Sequence, residues 1–384
     1  MKVRRTYKYR LYPNKEQTKS LEHQLSEARS LYNAALQERR EAWRMQKVSL
    51  NYYSQNSQLK EIRDAGNLGL ANFSACQDVL RRVNKTFQAF FRRVKAGQKA
   101  GYPRFKSRDR FNSYTFPAWG NGCHLTEQGR LKVQGVGVIK LKMHRPVAGD
   151  IKTLTLKREA GKWYACFSVI IDIPVQAPPS GAVGIDMGLY SFAALSTGEL
   201  LANPRNLKAG LPKLRRCQRR VARRKKGSTG RRKAVRLLQK AHAHIRNQRA
   251  DFQHKLSRQI ADSYGLVAVE DLNIKGLSRS MLARSVNDAG WGSFLAKLAY
   301  KVEETGGRLV RVNPNGTSQV CSRCGSLPDV PKTLADRIHS CPHCGLIIDR
   351  DINAARNILG LGLSLWDITW GIAPSVSQEA VCFS

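Results

Sequence analysis

Two cysteine pairs near the C-terminus constrain the fold more than any other feature of the chain. Cys321 and Cys324 form one Cys-x-x-Cys pair, Cys341 and Cys344 form the second, and 16 residues separate the pairs. This spacing is typical of a zinc ribbon, in which two thiolate knuckles close one tetrahedral Zn²⁺ site. The alternative is four unrelated free thiols, which the regular spacing disfavours. The sequence therefore predicts a structural zinc site directly before an acidic segment at 349–351.

The charge balance predicts a polyanionic partner. Lysine and arginine number 66 against 28 acidic residues, which gives a formal charge of +38. A chain of this charge repels itself unless a polyanion neutralises it, and nucleic acid is the polyanion that such surfaces bind. The alternative is a basic protein with no such partner. If nucleic acid is the partner, the affinity will fall steeply with salt.

Length and composition bound the class of protein. The chain has 384 residues, 42% of them hydrophobic, which is enough for two or three domains with their own cores. Residues 1–13 are basic and aromatic, unlike a secretory signal, and no apolar stretch of 18 residues occurs. The sequence predicts a cytoplasmic, nucleoid-associated protein.

The first half of the chain combines strands with an inserted helical region. Residues 2–12 alternate like a strand, and Asn14 with Gln17 forms the capping box that predicts a helix to about residue 46. Further helices are predicted at about 54–64 and 74–96. Residues 114–174 again alternate, so the N-terminal strand and this block can close one small barrel around the inserted helices.

Two features of the helical region bear on function. An apolar face runs from Val79 to Val94, and we interpret it as helix-bundle core rather than a platform for bases. The segment 97–113 is basic and carries Tyr102, Phe105 and Phe111. Such a loop can follow a phosphate backbone while its rings stack on bases, although an ordinary solvated loop has the same composition.

The second half follows a proline-rich linker and alternates strands with helices. Apolar strands are predicted at 182–188, 266–270 and 309–312. Between the first two, residues 205–258 hold 20 lysines and arginines and one acid, so we predict a helical hairpin that faces phosphates. Residues 361–384 have little pattern and are predicted to be an unstructured tail.

Three acids lie at the ends of predicted strands and a predicted helix that can bring them together. Asp186 and Glu270 each end an apolar strand, and Asp351 opens a helix behind the cysteine pairs. Carboxylates that converge at buried strand ends repel one another unless they share cations. Magnesium prefers oxygen ligands, and two such ions can hydrolyse a phosphodiester. The alternative is three unrelated structural acids.

These motifs resemble the TnpB family, the insertion-sequence nucleases related to type V CRISPR effectors. GIDMG at 184–188, VEDLNIKGL at 269–277 and CSRCG…CPHCG…DRDINAARNIL at 321–359 are similar to the three RuvC motifs and the zinc ribbon of that family. Three more segments resemble it, namely YKYRLYPNKEQ at 7–17, GYPRFKSRDRFNSYTFP at 101–117 and DAGWGSFLAKLAYKVEETGG at 288–307.

The resemblance implies a fold of α/β class with all-α and small β-barrel parts. It implies a wedge-type barrel, an inserted helical recognition domain, and a RuvC nuclease domain of the RNase-H-like class that carries the zinc ribbon. The implied boundaries are 1–10 with 115–178 for the barrel, 11–114 for the recognition domain, 179–360 for the nuclease domain and 314–347 for the ribbon.

The resemblance also implies an activity, RNA-guided DNA cleavage. A guide RNA from the transposon end pairs with the target strand, and the protein reads a short flanking motif in the DNA. By position, Asp186, Glu270 and Asp351 match the catalytic acids and are expected to hold two Mg²⁺ ions. Arg337 is expected to stabilise charge at the scissile phosphate, or else to form a surface salt bridge on the ribbon. A monomeric ribonucleoprotein is expected, with a dimer as the alternative.

Nucleic-acid contacts are expected at three places. Tyr52 and Gln77 match positions that contact the flanking DNA. Arg104 and Lys106 in the loop, and a group of arginines in the basic hairpin, are expected to hold phosphates of RNA or heteroduplex: Arg215, Arg216, Arg219, Arg220, Arg223 and Arg224. The alternatives are an RNA-guided repressor that does not cut, and an accessory DNA-binding protein of a transposase.

Overall fold

A computed structural model describes residues 1–174, 176–333 and 335–370. The chain divides into two units, Met1–Ile173 and Pro174–Ser384. Among the described residues, none of the helices combines the length and the apolar character that crossing a membrane requires.

The first unit is built on a seven-stranded antiparallel sheet that is nearly closed into a barrel. Its order is β2-β6-β7-β1-β5-β4-β3, with the chain's first strand at the centre. Trp119 N–H donates to the Lys152 carbonyl and Gly120 N–H to the Cys123 carbonyl, so the segment between β2 and β3 bridges the two sides of the sheet. The strands are β1 Lys2–Tyr12, β2 Ser113–Phe116, β3 Cys123–Leu125, β4 Leu131–Val133, β5 Gly137–Lys142, β6 Asp150–Glu159 and β7 Lys162–Asp172.

Three helices lie between β1 and β2, as the sequence predicts. They are α1 Lys15–Gln46, α2 Tyr52–Asp64 and α3 Phe73–Lys95. The capping box is present, because Asn14 accepts from the Gln17 N–H at 2.8 Å and the Gln17 side chain accepts from the Asn14 N–H at 3.1 Å. Asn51 and Asn72 cap the other two helices with their side-chain oxygens, which accept from backbone N–H groups in the first turn of each helix.

The apolar face of α3 is core only in part. The stretch from Val79 to Phe87 is buried, but Phe91 and Val94 are more than half exposed. The prediction of a core stripe up to Val94 is therefore wrong in the last two turns, where α3 extends past the elements that cover it. In the loop after α3, Phe111 is buried, whereas Tyr102 and Phe105 are exposed.

The second unit has a mixed five-stranded sheet in the order β10-β9-β8-β11-β12. β8, β11 and β12 are parallel, and β9 and β10 are antiparallel to their neighbours. The strands are β8 Gly181–Met187, β9 Ser191–Leu195, β10 Leu200–Ala202, β11 Tyr264–Glu270 and β12 Arg308–Val312, and a separate hairpin contains β13 Ile338–Ser340 and β14 Ile347–Asp349.

Helices pack around this mixed sheet. A core of α5, α8 and sheet residues includes Phe192, Leu298 and Val302. The basic region forms the predicted hairpin of two helices, α4 and α5. The helices are α4 Asn206–Ala222, α5 Thr229–Ser263, α6 Ile274–Leu277, α7 Ala283–Ala289, α8 Trp291–Glu304 and α9 Arg350–Trp370.

The prediction of an unstructured tail is wrong for residues 361–370, which belong to helix α9. The helix continues through residues 361–370, because Gly362 lies against the sheet: a Cβ at that glycine would be 2.4 Å from the Ala268 Cβ. Leu363 and Trp366 also pack beside Leu266. The rest of the predicted tail, 371–384, lies outside the described residues.

Candidate active site

Two parallel strands deliver the first two acids to one edge of the mixed sheet. β8 and β11 pair with Ile185 opposite Val269, so the next residues, Asp186 and Glu270, lie side by side at the ends of the strands. Residues paired in parallel strands point to the same face of a sheet. The sequence pattern of an apolar run followed by an acid thus places two carboxylates together.

Helix α9 brings the third acid to the same face. A Cβ on Gly184 would lie 2.1 Å from the Ala355 carbonyl oxygen, so only glycine lets the helix backbone approach β8 this closely. Asp186 is two residues beyond Gly184 on the same face of the strand, and Asp351 is one helical turn before Ala355. The packing of α9 against this glycine therefore directs Asp351 toward Asp186.

Asp349 and Asp351, the two acids at the start of α9, have different structural roles. Asp349 caps the helix, because its Oδ1 accepts from the N–H groups of Asp351 at 2.8 Å and Ile352 at 3.2 Å. Asp351 is left to face the strand ends, where its Oδ1 accepts from Arg350 at 3.2 Å and its Oδ2 lies 3.7 Å from Arg337 Nη1. This geometry favours Asp351 over Asp349 as the third site residue.

Burial and mutual repulsion make the site electrostatically unusual. Burial, followed by the charges of Glu270 and Asp351, raises the pKa of Asp186 to about 8. Burial also raises the pKa of Glu270, although the Thr317 hydroxyl, which donates to Glu270 Oε1 at 2.5 Å, acts in the opposite direction. Three carboxylates that repel one another in a buried site form the donor set that hard divalent cations require.

The four cysteines are grouped more closely than the three acids. Within the described ranges, the four cysteines are the one group of three or more potential ligands whose donor atoms all lie within 4.8 Å of one another. In the described part of the chain, Asp186, Glu270 and Asp351 do not form such a group.

The repulsion at Asp186 leads to a stability prediction. The folded-state pKa lies above the ordinary value of 3.8, so the ionised carboxylate costs folding free energy at every pH above 3.8, and this cost grows until the pH passes about 8. We expect Asp186→Asn to raise the Tm of the magnesium-free protein by roughly 5 °C or more at pH 8 and by less at pH 5. Calorimetry at both pH values, without chelator so that any zinc is kept, checks this. A Tm gain that is equal at the two pH values would contradict it.

The cysteine pairs form a compact thiol cluster, as the spacing predicts. Cys321 Sγ lies 3.6 Å from Cys344 Sγ, and Cys324 Sγ lies 3.5 Å from Cys341 Sγ. Four thiolates at about 2.3 Å from a tetrahedral zinc ion have sulfur atoms about 3.8 Å apart. The cluster therefore fits a closed zinc site with no position left for water or substrate.

Two asparagines of α9 fasten the first cysteine knuckle to the helix that carries Asp351. The Asn353 Oδ1 accepts from the Ser322 N–H at 2.9 Å, and its Nδ2 donates to the Val320 carbonyl at 2.7 Å. Asn357 donates to the same carbonyl and to that of Thr317, both at 2.8 Å. Sequence reasoning missed these residues, although their i, i+4 spacing placed both on one face of α9.

Arg337 lies between the cysteine hairpin and the acids. It is half exposed, near Asp351, and its guanidinium lies 5.2 Å from the centre of the Tyr190 ring. Tyr190 follows β8 on the loop after Gly188 and is 69% exposed. An exposed ring and an exposed arginine thus stand beside the carboxylates, and no sequence pattern pointed to Tyr190.

Comparison with known proteins finds sequence similarity along most of the chain. A family model described as "Probable transposase" matches residues 166–281, and one described as "Cas12f1-like, TNB domain" matches residues 291–358. A third, "Helix-turn-helix domain", matches residues 1–47, where the structure has strand β1 and helix α1.

Two full-length relatives carry the name "Putative RNA-guided DNA endonuclease". The protein from Streptomyces pristinaespiralis is 34% identical over 97% of this chain and 92% of its own length. The second, InsQ from Escherichia coli (strain K12), is 28% identical over 94% of this chain and 93% of its own. The chain belongs to the TnpB family.

A solved structure of lower similarity is the Cas12f1-sgRNA-target DNA complex, with a TM-score of 0.37 and 18% identity over 93% of this chain and 99% of that one. Similarity at that level carries no conclusion about the fold of this TnpB-family chain or about its partners.

The basic hairpin of this TnpB-family chain presents its arginines to solvent. Leu214, Ala241 and Ile245 form the seam between α4 and α5. All six arginines predicted to hold phosphates, from Arg215 to Arg224, are exposed. In the part of the chain that the structure describes, none of the six forms an ion pair with an acid, so their charges are available to an external anion.

The other predicted contact residues lie on the first unit. Tyr52 is half-buried at the start of α2, with the Arg81 guanidinium 5.4 Å from its ring centre, and Gln77 is half-buried on α3. Arg104 is exposed. Lys106 is half-buried, and its ammonium lies 5.9 Å from the Tyr32 ring centre. Of the loop pair, Arg104 is the better placed to meet a phosphate.

Proposed function

We propose that this chain is an RNA-guided DNA endonuclease encoded by an insertion sequence. The observation that carries the proposal is the convergence of Asp186, Glu270 and Asp351 at the ends of β8 and β11 beneath α9. Membership of the TnpB family, and relatives named for this activity, support it. An RNA-guided repressor would not need three carboxylates grouped in one largely buried place.

The three acids would hold two Mg²⁺ ions. Ions held in this way activate a water molecule and stabilise the leaving oxygen of a phosphodiester. Thr317 fixes the orientation of Glu270 through its hydroxyl, and the Asp349 cap fixes the backbone that presents Asp351. Arg337 is half exposed beside Asp351 and would stabilise negative charge on a phosphate at this site.

The same proposal assigns a role to each domain of the chain. A wedge-type barrel from 1–10 and 115–178 and a recognition domain from 11–114 would bind the guide RNA and the DNA that flanks the target, with Tyr52 and Gln77 at the flanking DNA. A RuvC domain of the RNase-H-like class from 179–360, with a zinc ribbon at 314–347, would cut. Target choice would then be delegated to base pairing with the guide.

The test is to purify the protein with the nucleic acid that accompanies it and to sequence that nucleic acid. We expect one abundant structured RNA whose 3′ or 5′ segment can be replaced to redirect cutting to a new DNA target in the presence of Mg²⁺. Redirected binding without cutting would favour the repressor. The absence of any co-purified RNA, together with cutting by RNA-free protein, would refute the proposal.

The basic hairpin supplies a prediction about salt. Replacing Arg215, Arg216, Arg219 and Arg220 together by glutamine should weaken nucleic-acid binding and flatten the plot of log affinity against log salt, by about 0.7 to 0.9 in slope for each phosphate that the variant no longer neutralises. Target choice should not change, because interactions with phosphates carry no sequence information. Binding at several salt concentrations and sequencing of cleaved targets measure both.

A matched control uses cations whose charges are already paired. Lys255 forms an ion pair with Asp251 at 2.8 Å, and Arg311 with Asp271 at 3.1 Å. Their replacement by glutamine should leave the salt slope almost unchanged. A changed target preference in the four-arginine variant would contradict the assignment of this surface to phosphates.

A further inference from the structure

A groove between α1 and the loop after α3 combines aromatic rings with positive charge. The last turns of α1 form one wall, the loop 102–105 forms the other, and the volume is about 690 Å³. Three of its rings are about half exposed, those of Trp43, Tyr102 and Phe105. Exposed rings grouped in one concave place are costly in water and indicate a ligand.

The groove is pre-formed, because both of its walls are held in place. The Asn33 side chain of α1 fastens the loop, donating to the Lys106 carbonyl at 3.1 Å and accepting from the Lys106 N–H at 2.8 Å. The Tyr102 ring packs edge to face against Phe87 and Phe90, with ring centres 5.8 Å and 5.5 Å apart. A ligand would therefore meet rings that need little ordering.

The charge of the groove selects an anion. Its lining includes Arg40, Arg44, Lys47 and Arg104, and no acid is among the lining residues. The Lys47 ammonium lies 6.0 Å from the Trp43 ring centre, so one ligand could contact both the cation and the ring. Rings that offer a stacking face, surrounded by cations, match a nucleobase with its phosphate.

We propose that this groove binds unpaired nucleotides of the guide RNA by stacking bases on Trp43 and Phe105. This rests on the proposed function, in which an RNA is the permanent partner. Bases inside a duplex are already stacked and cannot offer both faces to side chains, whereas loops and ends of RNA can. A permanent partner is also the one that would keep half-exposed rings covered throughout the life of the protein.

The first test locates the RNA. The purified complex of protein and co-purified RNA is irradiated with ultraviolet light, and nucleotide adducts are mapped by mass spectrometry. We expect RNA adducts on the peptides that contain Trp43, Tyr102 or Phe105. Adducts on the basic hairpin with none on these peptides would overturn the proposal.

The second test asks whether the rings read unpaired bases. Full-length chain is titrated with a roughly 12-nucleotide poly(U) RNA, with oligo(dT) of the same length, and with an RNA duplex of that length. Trp43→Leu should weaken poly(U) binding roughly tenfold and leave duplex binding unchanged, since stacking of one base contributes about that factor. Trp43→Phe, which keeps a ring, should retain most of the affinity, and Tyr300→Leu, on the other unit, should retain all of it.

The pattern of affinity losses across the three nucleic acids decides between the possible ligands of the groove. Equal losses for poly(U) and the duplex would overturn the proposal, because they would indicate a general loss of fold or charge. A loss for oligo(dT) alone would also overturn it and assign the groove to displaced DNA. If no RNA co-purifies and the RNA-free protein cuts DNA, the proposed function fails, but the titration still decides whether the groove binds unpaired RNA.

Discussion

Asp186→Ala is expected to abolish cleavage in the complex of protein, guide RNA and Mg²⁺ while leaving target binding intact. The side chain is buried near Glu270 and Asp351, and in the proposed function it is a shared ligand of the metal ions. Metal ions supply several kcal/mol of transition-state stabilisation, and each 1.4 kcal/mol is tenfold in rate, so we expect a loss of at least about a thousandfold. Single-turnover cleavage and a binding assay on the same preparation measure the two effects.

The control for this variant is another aspartate of the same unit. Asp262 is exposed at the end of α5 and pairs with Arg258 at 2.7 Å, a kind of ion pair that contributes about 0.5 kcal/mol or less. Asp262→Ala should therefore cut at the wild-type rate. Full cutting by Asp186→Ala would refute its role as a metal ligand, and loss of target binding would make it a structural residue.

The same residue is expected to have opposite effects on stability and on activity. Without magnesium, the charge of Asp186 works against folding, because it is buried beside two more carboxylates. With magnesium, the same charge would favour binding of the ions that the proposed function assigns to this site. The gain in Tm from Asp186→Asn and the loss of cutting from Asp186→Ala would thus have one cause, and a structural acid would not give this combination.

Local sequence signals were enough to predict most elements and the three acids. Asn14 and Gln17 indicated the start of α1, and an apolar run before Asp186 and Glu270 indicated the strand ends. Local signals suffice here because capping and strand ends depend on neighbours in sequence. The convergence of the three acids also depends on Gly184. A sequence pattern alone does not identify this glycine as the point where α9 crosses β8.

The features that sequence did not predict depend on distant partners. Asn353 bonds to Ser322, 31 residues away, and the groove pairs Trp43 with a loop about 60 residues later in the chain. The helix beyond residue 360 was missed because residues 361–384 show little local pattern, whereas in the structure Gly362 allows close contact with Ala268. In each case tertiary packing outweighs local preference.

Cys321→Ser is expected to remove zinc and, through α9, to impair cleavage. Binding of structural zinc contributes on the order of 10 kcal/mol to the folding of such sites, so loss of one thiolate should unfold the first knuckle. That knuckle is fastened by Asn353 and Asn357 to the helix whose first turn carries Asp351. Elemental analysis should find about one zinc per wild-type chain and far less in the variant, and cutting should fall with it.

Two further variants separate zinc loss from misplacement of the acid. Cys217→Ser, on α4 and outside the thiol cluster, should keep zinc and activity. Asn353→Ala should keep zinc, because every thiolate remains, yet cut more slowly, because the Ser322 N–H loses its partner on α9. A zinc-free Cys321→Ser protein that cuts at the wild-type rate would show that the ribbon does not position Asp351. An Asn353→Ala protein with full activity would assign the positioning of Asp351 to the Asp349 cap and the Gly184 contact instead.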